Sequence, residues 1–321
     1  MSSKGIGSPR GYLLLLLWFA STAFAQVKLE RVGDRVDVTV DGKPFTAFYF
    51  GADTPKPYLH PLRSASGKVV TRGFPMVTDI PGESRDHPHH RGLWFAHGDV
   101  NGVDFWAEGE DKGRTVLKSL GPLKSGKDAG SLSARFEWRT VEGKVLAEEE
   151  RTMTFRGGPG LRIIDFEVTV QPAGAEPVVM GDTKEGTFAI RVVKALEEKN
   201  AKCAACTGVM LNSEGAQGDK QIWGKRANWV DYSGTVEGET LGMAVFDHPQ
   251  NPKHPTYWHA RGYGLFAANP FGEHDFYNDK LRDGSLKIEP GHSLTFRYRV
   301  LIHGGDAAAA RIPELYRDWA P

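Results

Sequence analysis

The sequence predicts an all-β protein, a large antiparallel β-sandwich with long loops and a short C-terminal helix. Three observations carry that prediction. Apolar and polar residues alternate with a period of two along much of the chain. The alternating runs are bounded by Gly, Pro and Asp turn residues. Long helical periodicity is nearly absent: the clearest candidate is the C-terminal "DAAAARIPELYRDW", and Pro313 interrupts even that.

The elements follow in order. "RVDVTV" runs through Asp41-Gly42, a tight-turn dipeptide, into "PFTAFYF", which is a hairpin pattern. "SLSARFEWRTV" and "KVLAEEERTMTF" flank Glu142-Gly143 as a second hairpin. "LRIIDFEVTV" follows a Gly-Gly-Pro-Gly turn, and "TFAIRVV", "LGMAVFD", "YGLFAAN", "SLKIE" and "SLTFRYRVLIH" are further strands. No low-complexity linker and no fixed repeat divides residues 26–321, which therefore read as a single sandwich domain. Residues 51–112 and 203–235 break the alternation and are rich in Gly, Pro, His, Trp and Asp. Loops of that length in a compact domain are functional or disordered. Their aromatic content disfavours disorder, so they are expected to form the rim of a pocket.

The N-terminus predicts export. Lys4 and Arg10 precede the apolar run "YLLLLLWFASTAFA", which ends in the small-residue signal Ala23-Phe24-Ala25. Residues 1–25 read as a signal peptide cleaved after Ala25, giving a periplasmic or secreted protein with no membrane insertion in its mature form. The chain carries 40 Lys+Arg and 40 Asp+Glu, and loss of Lys4 and Arg10 leaves 38 against 40. Such a balance lacks the basic excess of a nucleic-acid binder. Cys203 and Cys206 are the two cysteines, and in an oxidising compartment they read as a local disulfide or two inert thiols.

The chemistry concentrates in "RDHPHHRGLWFAHGD", where four of the eleven histidines fall between positions 87 and 97. His87 and His89 have the i, i+2 spacing that puts two side chains on one side of an extended segment, the arrangement of a metal-ligand pair. Beyond Gly92 the pattern is a strand with Leu93, Phe95 and His97 on one face. A divalent metal site, a metal-free pocket with His as acid, base or donor, and simple packing on Trp94 and Trp106 all remain open. "GDTKEGTFAIRV" places Glu185 beside Lys184 just before a strand, as a candidate base. "IWGKRANWVDYSG" offers Trp223, Lys225, Arg226, Trp229 and Asp231, and "HPTYWHARGYGLFAANPFG" offers Trp258, His259, Arg261 and Asn269. Aromatic rings beside hydrogen-bonding groups suit a sugar, whose C–H face packs on a ring while its hydroxyls are hydrogen-bonded.

The same segments, with "PYLHPLRSASGKVVTRGFPM" and "FDHPQNPKHPTYW", resemble a bacterial exported family labelled the PmoA family, over most of residues 45–275. That label borrows the name of a membrane-embedded methane monooxygenase subunit, and no segment of the mature chain is apolar enough to match it. The family occurs mainly in polysaccharide-degrading bacteria, which implies a carbohydrate role by association. The loop with His and Arg followed by "GLW", on an antiparallel sandwich, also resembles the galactose-mutarotase type of supersandwich. That resemblance implies sugar binding on a concave sheet, with His90 or His97 as acid and Glu185 as base.

The leading expectation is an exported carbohydrate-active enzyme that hydrolyses, eliminates or epimerises a sugar or glycoside. His90, His97, Glu185 and Arg91 are its candidate catalytic groups. Trp94, Trp223, Lys225, Arg226, Trp229, Asp231, Trp258, His259, Arg261 and Asn269 are its candidate ligand contacts, and His87 and His89 its candidate metal ligands. The alternatives are a non-catalytic carbohydrate-binding protein and a copper or iron oxygenase.

Overall fold

The computed structural model describes residues 25–200 and 203–321. The predicted leader, apart from Ala25, lies outside the described residues. Two antiparallel sheets face each other. The nine-stranded sheet runs, in spatial order, Tyr257–Arg261, Leu265–Asn269, Gly186–Arg191, Leu93–His97, Tyr58–Leu59, Lys43–Tyr49, Arg35–Val40, Gln26–Val32 and Gly126–Lys127. The eight-stranded sheet runs Val209–Asn212, Trp229–Val236, Glu239–Asp247, Leu294–Gly304, Leu161–Pro172, Val145–Gly158, Gly130–Arg139 and Arg114–Leu120. Val178–Met180 and Leu286–Ile288 form a separate two-stranded ribbon.

The antiparallel sandwich expected from the sequence is thus the one the chain forms, and turn chemistry sets its register. Val40 lies opposite Lys43, and the two residues between them, Asp41 and Gly42, have φ of 51° and 73°. Two successive positive φ values define the type I′ turn that matches the strand twist. Pleat alternation then sorts the side chains. Phe136 and Trp138, Phe166 and Val168, and Phe296 and Tyr298 point inward to meet Val36, Phe95 and Phe188 of the facing sheet.

Two local expectations are corrected. Pro313 does not interrupt the C-terminal helix. It sits in the first turn of Ile312–Trp319, where its missing N–H costs nothing. Residues 203–235 are not all loop: Val209–Asn212 and Trp229–Val236 are strands at one side of the eight-stranded sheet. Trp229 packs with Phe246 and Leu301 on that sheet's outer face, beneath Ile312 and Tyr316 of the helix. Cys203 and Cys206 form a disulfide. No helix among the described residues is long and apolar enough to cross a membrane.

Candidate functional site

At the Tyr257–Arg261 end, the outer face of the nine-stranded sheet is covered by loops. Trp94, Ala96, Ala189, Leu265 and Ala267 form an apolar floor there, with Trp106 laid over it. Above this floor is a cavity of about 500 Å³, within the range of small-molecule sites. The loop before Leu93–His97 supplies His87, His89 and His90, and the turn before Gly186–Arg191 supplies Lys184 and Glu185. Strand Tyr257–Arg261 supplies His259 and Arg261, two residues apart and so on one face. Asp104, Trp106, Trp223 and Tyr263 complete the walls.

Two arginines fix the histidine loop. Arg72 and Arg191 are both 0% exposed. Each donates to Asp86 Oδ1, at 2.9 Å and 3.1 Å. Arg72 also donates to the carbonyls of Asp86 and His87, both at 2.8 Å. Burial pushes the Asp86 carboxyl up, but Arg191 and hydrogen bonds from His87 and Ser84 outweigh it and hold the group at about 2. The loop enters the strand through Gly92, with φ of 60° and a hypothetical Cβ only 2.2 Å from the Leu59 carbonyl, so no larger residue fits.

The histidines form a ring column. His87 stacks on Tyr263 with centroids 5.4 Å apart and on His90 at 4.7 Å, and His90 stacks on Trp94 at 5.2 Å. Arg191 Nη1 lies 3.1 Å from His90 Nδ1, and a guanidinium only donates, so Nδ1 accepts and Nε2 carries the hydrogen. Burial, with His89 and Arg191 adding to it, keeps His90 neutral, far below the usual histidine range. His259 has the opposite tautomer. Its Nδ1–H donates to the Lys184 carbonyl at 2.8 Å, leaving the Nε2 lone pair without a partner among the described residues. Burial lowers His259 to about 4, and burial together with Lys56 lowers His89 to about 4. Burial raises the Glu185 carboxyl above its ordinary value, with Lys184 opposing. The cavity therefore presents an N–H donor at His90, a lone-pair base at His259 and a carboxyl with raised proton affinity at Glu185.

The other sequence-predicted residues, nine of sixteen, do not line the cavity. His97 lies on the core face with Phe95 and is 0% exposed. Its Nε2–H donates to the Gly181 carbonyl at 2.8 Å, its ring meets Phe271, and burial lowers it to about 4. Arg91 is locked to Glu108 by two hydrogen bonds of 2.8 Å, and Lys56 shares the same carboxylate at 3.0 Å. Trp94 is the covered floor rather than a wall. Trp258 alternates away from His259 into the core, where its Nε1–H donates to Ala227. Asn269 is buried and braces the turn before Gly186, donating to the Thr183 carbonyl. Lys225 and Arg226 are exposed outside the cavity, Arg226 donating to the carbonyls of Lys253, His254 and Pro255. Trp229 and Asp231 face the opposite side of the molecule, where Asp231 accepts from His303 Nε2 at 2.6 Å.

His87 and His89, the expected metal ligands, have their rings 76° apart with centroids separated by 5.7 Å. Nδ1 of His90 is already committed to Arg191. No group of three His, Cys, Asp or Glu side chains among the described residues is arranged to hold a metal ion. Nothing in the sequence pattern signals the roles of Arg72 and Arg191, which meet Asp86 across 14 and 105 residues.

A model described as a family of unknown function, DUF6807, matches residues 35–317. No curated protein matches the chain. Similar solved structures include the GH36 alpha-galactosidase AgaB of Geobacillus stearothermophilus, at 8% identity and a TM-score of 0.45, covering 88% of this chain and 42% of that one. A galactose mutarotase-like protein of Clostridium acetobutylicum matches at 10% identity and a TM-score of 0.42, covering 88% and 99%. One of Lactobacillus casei matches at 10% and 0.39, covering 86% and 100%. The chain spans about two fifths of the length of the alpha-galactosidases it matches.

Proposed function

We propose that this chain, which belongs to the DUF6807 family, is an exported carbohydrate-active enzyme whose site is the cavity between the histidine loop and strand Tyr257–Arg261. The observation that carries the reading is the pairing of unlike proton-transfer groups within one aromatic-walled cavity. His259 offers a lone pair, His90 offers an N–H, and Glu185 holds its proton more tightly than an ordinary glutamate. Hydrolysis, elimination and epimerisation of a sugar each need one group that takes a proton and one that gives it, typically worth about 10²–10⁴-fold in rate. In this reading Glu185 and His259 move the proton, His90 orients a hydroxyl, and Trp223 and Tyr263 pack on the sugar ring. Tyr263 also borders an adjoining cleft of about 700 Å³ lined by Glu198, Gln217, Asp219 and Gln221, room for a second sugar unit. The resemblance to the exported PmoA-labelled family belongs to the same proposal.

The test is incubation of the purified protein with a panel of mono- and oligosaccharides, followed by NMR or mass spectrometry. The expected result is conversion of one sugar class, slowed about 10²-fold or more in Glu185→Gln with binding retained. Saturable binding without turnover of any sugar would make the protein a carbohydrate-binding module instead. Turnover unaffected by Glu185→Gln or by His259→Ala would remove the assigned roles.

A further inference from the structure

We infer that the ligand of this cavity carries an anionic group, a carboxylate or sulfate ester on the sugar, received by Arg261. The inference rests on the proposed carbohydrate function and specifies its substrate class.

Charge pairing around the cavity leaves one cation over. Lys184 Nζ lies 3.7 Å from Glu185 Oε1. Asp104 faces Lys112 at 3.8 Å, while its Oδ1 accepts the amide N–H groups of Trp106 and Ala107. The neighbouring arginines are all engaged: Arg72 and Arg191 on Asp86, and Arg91 on Glu108. Arg261 lines the cavity, yet its guanidinium makes no ion pair and no hydrogen bond among the described residues. Its carbonyl accepts from the Tyr232 hydroxyl, so the backbone is anchored while the side-chain head is left over.

Two rings hold that head in place. The guanidinium carbon is 5.8 Å from the Trp223 ring centroid and 5.9 Å from that of Tyr263. Ring contact steadies the plane without consuming its N–H edges, so the donor fork stays available. A planar fork of this kind matches the two oxygens of a carboxylate, or two of a sulfate, better than a single hydroxyl. His259, two residues earlier on the same face, brings its free Nε2 to the same wall. An acidic group bound at Arg261 therefore places the adjoining sugar carbons and hydroxyls beside a base. The cavity floor of Trp94 and Trp106 is apolar, which lowers the local dielectric and strengthens the pairing.

Isothermal titration with matched oligosaccharides tests this: a neutral hexose oligomer, its uronic-acid counterpart of equal length, and a sulfated one. Wild type is compared with Arg261→Gln and Arg261→Lys, each checked for folding by its melting curve. We expect wild type to bind an acidic oligomer at least about 10-fold tighter than the neutral one, with an advantage that shrinks as salt rises. Arg261→Gln should remove the advantage, so that acidic and neutral oligomers bind the variant equally. Arg261→Lys should keep part of it, since the charge remains and the fork does not. Whichever acidic oligomer is preferred identifies the source of the anion. Equal binding of neutral and acidic oligomers by wild type, or a preference that survives Arg261→Gln, overturns the inference and leaves the carbohydrate reading standing. Failure of every oligomer to bind overturns both.

Discussion

His97 separates the geometry from the expectation based on residue type, and His97→Gln is the perturbation that tests it. Burial holds the folded-state imidazole at about 4, against an ordinary 6.5. The unfolded chain therefore binds more protons between those values. Stability contributed by the neutral ring is present above about 6.5, is lost as pH falls toward about 4, and does not fall further below that. Between about pH 7 and about pH 4.5 this difference is on the order of 2 kcal/mol for the single group. Glutamine does not titrate and keeps an N–H donor for the Gly181 carbonyl, the partner of His97 Nε2. Urea denaturation at the two pH values should show wild type losing on the order of 2 kcal/mol more than His97→Gln. Sugar binding and turnover at pH 7 should not change. His97→Ala, by contrast, should cost about 1–3 kcal/mol at neutral pH for the orphaned Gly181 carbonyl, besides the void it opens. An unchanged pH gap in His97→Gln, or lost turnover in a folded variant, would refute this placement.

Other outcomes follow from the same geometry. Asp86→Ala removes the shared acceptor of Arg72 and Arg191; Asp86 is 43% exposed, so solvent screening limits the loss to about 1–2 kcal/mol, readable as a lower urea midpoint. That variant should also weaken ligand binding by freeing the histidine loop. The acid limb of a pH–rate profile should lie above the ordinary glutamate value of 4.5, because burial raises Glu185, and it should move or vanish in Glu185→Gln. Lys225→Ala and Arg226→Ala should leave sugar affinity unchanged in titration calorimetry, since both residues lie outside the cavity.

Legibility in the sequence followed locality. The Asp41-Gly42 hairpin could be read because turn chemistry and alternation act within a few residues, and the register confirms it. The face of His97 was equally readable: alternation already sets it with Leu93 and Phe95, both core residues. Residue type pulled the other way, toward acid chemistry, and pleat parity won. Trp229 and Asp231 read as ligand contacts because aromatic and charged residues alternate there. Their burial depends on the C-terminal helix and on His303, 72 residues away from Asp231. Arg72 and Arg191 follow the same logic, since only the fold brings them to Asp86. His87, His89, His90, Glu185, Trp223, His259 and Arg261 do converge, although four separate segments carry them.

The central claim is that a sugar occupies the cavity beside the histidine loop. Long-range nitrogen–proton NMR of the imidazoles during a sugar titration tests it most directly, because each ring reports its own tautomer and surroundings. The account predicts that saturating sugar shifts the signals of His87, His89, His90 and His259 and leaves those of His97 and His303 in place. Saturable binding that leaves the four cavity histidines unshifted would contradict it.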